Sequence, residues 1–384
     1  MSEQELAQCE AMLKGLLLPD NTKRNEAQSQ LQKCLSTIQN KETLSLYCSI
    51  LLLKSTDLNV QIYCAIILRK IFLTTEKEIS NEAVKNFSEQ NKSEIKKNLL
   101  LSFQSTQNKS LQKKIADASI KVYEGLIENE EKWDDFLKFI ISLFNLELTE
   151  NNYDKIELGL YLLSNIYSFA YEELSEGINL FLKNFKIYFS CNSLSLKAKT
   201  VECVNELLCS ASSKKEVKQF KDFIFNILET TKLCLDNKDQ DNLKICLESI
   251  QDLSISEPKI LRKNFSDLYI LMGKIFEEKE FEENIREISF EIIISIIEKI
   301  PKIIDDEKLK ILVQSLFKYA MELDQEIDDE WLHPNSISFI SDEFIPEHKL
   351  DEMCSLLTRL FEKISDEKMI QLTSQNIMEL INHS

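Results

Sequence analysis

Three histidines, His333, His348 and His383, are all the imidazole this chain possesses. A thiol nucleophile needs a base within reach, and Cys354 follows His348 by six residues, a spacing that does not by itself build such a pair. No HExxH helix, paired-cysteine zinc spacing or phosphate-cradling P-loop occurs. No catalytic residue, metal or cofactor is therefore expected. The pairs Asp305–Asp306 and Asp328–Asp329 could meet a divalent cation, but solvated caps and loop residues account for them. What remains is recognition by charge. The stretch ELDQEIDDEW carries Glu322, Asp324, Glu326, Asp328, Asp329 and Glu330, and ends in Trp331. From Tyr319 to His348 there are nine acids and no lysine or arginine, which is −9, half of the chain's −18. Such focusing concentrates basic ligands and speeds their arrival, with a strong dependence on salt.

The elements that would carry this surface follow from composition. The 384 residues are 43% hydrophobic and 29% charged, enough apolar matter to bury a core. Glycine and proline number five each, too few for tight-turned sheets or nucleotide-binding loops, so long helices with short connections are expected. The acidic balance disfavours direct nucleic-acid contact and anionic membrane. Ten cysteines without a CxxC pair sit mostly among apolar residues, as expected of reduced, buried thiols. The N-terminus lacks the basic start of a signal peptide, and no apolar run approaches the roughly 18 residues of a membrane span, so a soluble intracellular chain is expected.

One template recurs: a basic or amide residue, a small residue three later and an aliphatic seven later. It reads Arg24/Ala27/Leu31, Gln61/Cys64/Leu68, Lys113/Ala116/Ile120, Lys197/Thr200/Val204 and Arg286/Ser289/Ile293. Two intervals are double steps, and weaker copies at KIELGLYLLSNIY and DNLKICLESIQDL fill them. Six steps from Arg24 to Arg286 give about 44 residues per unit, in the range of HEAT repeats. Second helical patterns lie between these helices, so each unit is an antiparallel pair, A then B. The small residue lets the two backbones approach. The reading is all-α: a right-handed α-solenoid (superhelix) of about eight HEAT repeats. Residues 1–320 form the array, 321–348 an acidic loop or insertion, and 349–384 continuing helices of a truncated array, since no capping repeat is seen.

With the repeats in register, the residues resemble a known family. NTKRNEAQSQLQ is similar to the first helix pair of the importin-β (karyopherin-β) superfamily, and this N-terminal-like region lies within about 1–130. NVQIYCAIILRKIF resembles the next B helix, ending in the family's Leu-Arg-(Asn/Lys) signature at Leu68, Arg69 and Lys70. EEKWDDFLKFIISLF resembles the opening of the fourth A helix at Trp133, Phe136, Leu137 and Phe139. The helix NIREISFEIIISIIEKI, followed by acids and a tryptophan, resembles the importin-five (karyopherin-β-three) branch. Around 140–240 only the pattern matches.

The resemblance implies a nuclear transport receptor, shuttling between cytoplasm and nucleus. Its partners would be Ran in the GTP form, basic cargo carrying nuclear localisation signals and FG-repeat nucleoporins, with no membrane insertion. The chain would act as a monomer. It implies that Glu322, Asp324, Glu326, Asp328, Asp329, Glu330 and Trp331 form the acidic loop, for cargo or Ran. Ran-facing candidates are Glu26, Gln30, Lys33, Arg69, Lys70, Asp117 and Glu124. Phe181, Phe185, Phe220, Phe223 and Phe225 recur on A helices; most would be core, and some could line outer grooves that receive nucleoporins. The alternative is a generic HEAT scaffold subunit of a phosphatase or ubiquitin-ligase assembly.

Overall fold

The computed structural model describes residues 3–72, 85–175, 177–211, 214–332, 347–363, 370 and 372–374, with side chains at 214–216, 320–332 and 347–353 outside the described set. Among the described residues there is no strand. No helix there is long and apolar enough to cross a membrane. The helices are α1 (Glu3–Leu16), α2 (Asn21–Leu35), α3 (Ile38–Lys54), α4 (Leu58–Phe72), α5 (Glu89–Ser105), α6 (Lys109–Ile127), α7 (Asp134–Phe144), α8 (Tyr153–Ile166), α9 (Tyr171–Ser175) and α10 (Ile178–Phe189). They continue as α11 (Leu194–Cys209), α12 (Lys214–Phe220), α13 (Ile224–Asp236), α14 (Gln240–Ser256), α15 (Pro258–Leu261), α16 (Phe265–Glu277), α17 (Glu283–Lys299), α18 (Asp306–Leu332) and α19 (Glu347–Phe361). The chain divides into two compact units, 1–203 and 204–384.

Polar residues set where the helices begin. The Asp20 carboxylate accepts from the Thr22 and Lys23 amides at α2, and Asn108 accepts from the Leu111 amide at α6 (2.9 Å). Thr37, Ser88 and Asp239 cap α3, α5 and α14 in the same way. Each such cap satisfies an otherwise orphaned N–H and contributes about 1 kcal/mol. Two helix ends turn through a left-handed residue that is not glycine, Glu130 (φ 61°) and Lys238 (φ 54°). The B helices begin at 21, 58, 109, 153, 194, 240 and 283, which includes both inferred double-step copies, α8 and α14.

In the first unit, α1 packs on α2, α3 on α4, α5 on α6 and α7 on α8, and the B helices α4, α6 and α8 pack in series. The template's small residues Ala27, Cys64 and Ala116 are buried at these crossings. Gly159 plays that part in α8, where a Cβ would meet Leu143 Cβ on α7 at 3.0 Å. In the second unit α13 pairs with α14 and α16 with α17, while α14, α17 and α19 pack in series. Helix α17 is buried on more than one face, with Ile285, Ile292, Ile293, Ile294, Ile296 and Ile297 all in the core. A B helix sandwiched between its partner and both neighbours requires this. Each isoleucine so buried contributes about 2 kcal/mol of transfer free energy.

The template's first position has a physical role where it can be followed. The Gln61 amide donates to the Leu52 carbonyl (3.0 Å), and Arg286 Nε to the Phe276 carbonyl (2.8 Å), each near the end of the preceding A helix. The Arg286 guanidinium also lies over the rings of Phe276 (5.0 Å) and Tyr319 (4.8 Å), so it joins its own repeat to α18 of the next. Arg24 differs: it is exposed and bonds Asn21 within its own helix. Trp133 is buried at the start of α7, stacked on Phe136. Of the ten cysteines, all free, seven are buried, Cys34 is half-buried, and Cys209 and Cys354 are exposed.

The acidic run departs from its expected form. Residues 322–331 are not a loop but the continuation of α18, which runs helical to Leu332. The stretch holds no glycine or proline before Pro334, and its Met, Leu, Gln and Glu favour helix. That preference outweighs the unfavourable placing of acids near a helix C-terminus. At 27 residues α18 is about 40 Å long, against about 25 Å for α17. The acid side chains themselves, and residues 333–346, lie outside those described.

Candidate partner-binding surface

A ladder of polar contacts links successive B helices of the first unit. Arg69 stands exposed in the last turn of α4, its Nη1 3.7 Å from Asp117 Oδ2 on α6. Lys114 Nζ lies 3.9 Å from the same oxygen. The other carboxylate oxygen of Asp117 accepts a 2.5 Å hydrogen bond from the Tyr161 hydroxyl on α8. Burial, and after it the bond to Asp117, push the Tyr161 phenol up. Lys113 Nζ sits 5.6 Å from the Tyr161 ring centroid, within cation–π reach. Further along, Glu157 on α8 accepts from Ser195 on α11 (2.9 Å), and Lys199 pairs with Glu202 (2.8 Å). Lys109, Lys113, Asp154, Glu157, Tyr161 and Lys199 line a shallow depression of about 150 Å³. Cations and anions alternate along this face.

In the second unit the ladder is poorer in cations. Gln251 on α14 donates to Glu291 on α17. Arg359 on α19 approaches the other Glu291 oxygen (3.4 Å) and forks across Glu298, with Nε to Oε1 at 3.0 Å and Nη2 to Oε2 at 2.8 Å. Its Nη2 also donates to Ser295 Oγ (3.3 Å). The bond from Arg359 holds the Glu298 carboxyl below its usual range. Next to Gln251, burial pushes the Asp252 carboxyl up.

The opposite, A-helix side of the second unit carries two neighbouring apolar grooves. Phe225, Leu228, Leu235, Ile270 and Leu271 line one of about 350 Å³ between α13 and α16, rimmed by Lys232, Lys274 and Asp267. Ile270, Gly273, Phe276, Phe290, Ile311 and Leu312 line another of about 190 Å³. Phe225 is 64% exposed and Ile270 55%. Of the five phenylalanines singled out in the sequence, Phe181, Phe185, Phe220 and Phe223 are core, and Phe225 alone faces outward.

Of the seven candidates on the first B helices, the structure joins two, Arg69 and Asp117. Glu26, Gln30 and Lys33 are exposed on α2, and the last two line a cleft of about 440 Å³ with Cys9, Cys34 and Tyr47. Lys70 is exposed beside Arg69, and Glu124 pairs with Lys121 on its own helix. The acidic-run candidates lie on α18 with their side chains undescribed. Sequence reasoning missed Tyr161, Gln251, Glu291, Glu298 and Arg359. A register signal existed: Arg69 and Gln251 both stand five residues after the small residue of their helices, Cys64 and Cys246. Their partners Asp117 and Glu291 stand one and two residues after Ala116 and Ser289 on the next B helix.

Residues 107–271 match a family model described as IPO5-like, TPR repeats. Over that stretch B helices begin at 109, 153, 194 and 240, a step of HEAT rather than TPR length. No curated protein matches the chain in sequence. Its fold is similar to that in crystal structures of Kap121p. The RanGTP complex gives a TM-score of 0.75, the Pho4p complex 0.76 and the Nup53p complex 0.74, each at 19% identity over 99% of this chain. The chain spans 35% of the length of each of those Kap121p chains. The helix pairs are thus those of a HEAT-repeat solenoid, and the IPO5-like match falls within it.

Proposed function

We propose that this chain is part of a nuclear transport receptor, a binding protein rather than an enzyme, working between cytoplasm and nucleus. The B helices of the first unit receive Ran in its GTP form, with Arg69, Lys70, Asp117 and Glu124 joined by Glu26, Gln30 and Lys33 on α2. The acid-rich B helices of the second unit and the run Glu322–Trp331 receive basic cargo carrying a nuclear localisation signal. The groove at Phe225 and Ile270 receives the aromatic side chains of FG-repeat nucleoporins. The observation that carries this reading is the B-helix ladder, in which one polar face continues from repeat to repeat within each unit. Related support comes from Kap121p, whose structures include complexes with RanGTP, Pho4p and Nup53p.

The test is a pulldown of the 384-residue chain on immobilised Ran locked with a non-hydrolysable GTP analogue or with GDP. Capture by the triphosphate form alone is expected. Equal capture by both forms would count against the receptor and favour a general HEAT scaffold.

A further inference from the structure

The acidic seat on α17 is occupied by the chain's own arginine. Glu291, Ser295 and Glu298 follow one another at four and three residues, so they share a helix face. Arg359 fills that face with its fork on Glu298 and its remaining amino group toward Glu291. This is the geometry a carboxylate pair offers to any guanidinium. The seat stays partly open, with Arg359 31%, Glu291 35% and Glu298 20% exposed. It is also held from the other side, since Gln251 on α14 fixes the second Glu291 oxygen. Helix α19 does not depend on this bond alone, because Leu356 and Leu360 are buried beside it.

We propose that Arg359 is an internal stand-in for the guanidinium of a basic partner, so that α19 and such a partner compete for Glu291 and Glu298. The proposal rests on the basic-partner reading above and adds its regulation. In the resting chain an incoming arginine must displace a cation of equal charge, so it gains little electrostatic free energy at this seat. Lys299 and Lys363 attract Glu298 as well, though less than Arg359 does. Without Arg359, two carboxylates on one face are left with no guanidinium between them. A partner's arginine then gains the full charge-assisted pair.

The experiment measures binding of a fluorescein-labelled hexa-arginine peptide to the 384-residue chain by anisotropy at fixed low salt. Arg359→Gln should bind roughly three- to tenfold tighter than the native chain, and Arg359→Lys about as the native chain does. Adding Glu298→Gln to Arg359→Gln should erase the gain, which separates release of this seat from general loosening of α19. Equal or weaker binding by Arg359→Gln, or a gain that survives Glu298→Gln, overturns the competition while leaving the basic-partner reading in place. Absence of peptide binding by the native chain and every variant overturns both.

Discussion

The two ladders differ in how their anions are balanced. In the first unit Asp117 has Arg69, Lys114 and the Tyr161 hydroxyl around one carboxylate. In the second, one guanidinium serves both Glu291 and Glu298. The first face is locally compensated: Lys109 pairs with Asp154 (2.7 Å), and Lys113 lies against the Tyr161 ring. The second holds its charge in reserve. A mixed face suits a partner with a mixed surface and rejects like charges by position; an under-compensated acidic face suits any cationic segment and will be far more sensitive to salt. The same repeat, with small changes at the positions after its buried small residue, thus yields two kinds of charged face.

The frame beneath the first ladder is the place to break it hardest. Gly159→Leu forces a side chain against Leu143 at the α7–α8 crossing, and should cost about 2–3 kcal/mol in a urea titration of the chain. Asp117→Ala should cost about 1 kcal/mol by the same measurement, because it strands the half-buried Tyr161 hydroxyl; adding Tyr161→Phe should recover part of the loss. The matching change in the second unit, Glu298→Gln, should also cost about 1 kcal/mol, since the pair is partly solvated. Its pH dependence has a definite sign. The folded-state carboxyl of Glu298 titrates below its ordinary 4.5, so its contribution is complete above that value and disappears as the pH falls through and below it. Glu298→Gln should therefore match the native chain at low pH and fall behind it above. The smallest effect is a gain: Lys238→Gly relieves a left-handed helix end and should add about 0.5 kcal/mol, less whatever the exposed Lys238–Glu280 pair contributes.

Much of the frame was legible from the sequence. The template's buried small residues fixed the repeat step, and the weak copies at α8 and α14 fell where that step required them. The ladder was less legible, because it depends on which residue of one helix stands opposite which residue of the next. Arg69 and Asp117 lie 48 positions apart, and nothing local ties them. Phe220, Phe223 and Phe225 show a second limit. A turn of 3₁₀ helix at Lys221–Phe223 separates α12 from α13, and Phe225 emerges on the solvent side while its neighbours stay in the core. The acidic run shows a third: its charge suggested a loop, yet the lack of any helix breaker carried α18 through it.

The claim on which the account stands is that B-helix faces of the first unit are a receptor surface for Ran carrying GTP. Hydrogen exchange of the chain, with and without Ran locked in that form, tests it most directly. The account predicts added protection in α2, α4 and α6 and little change in the partner helices α1, α3 and α5. Protection confined to the A helices, or none in either set at saturating Ran, would contradict it.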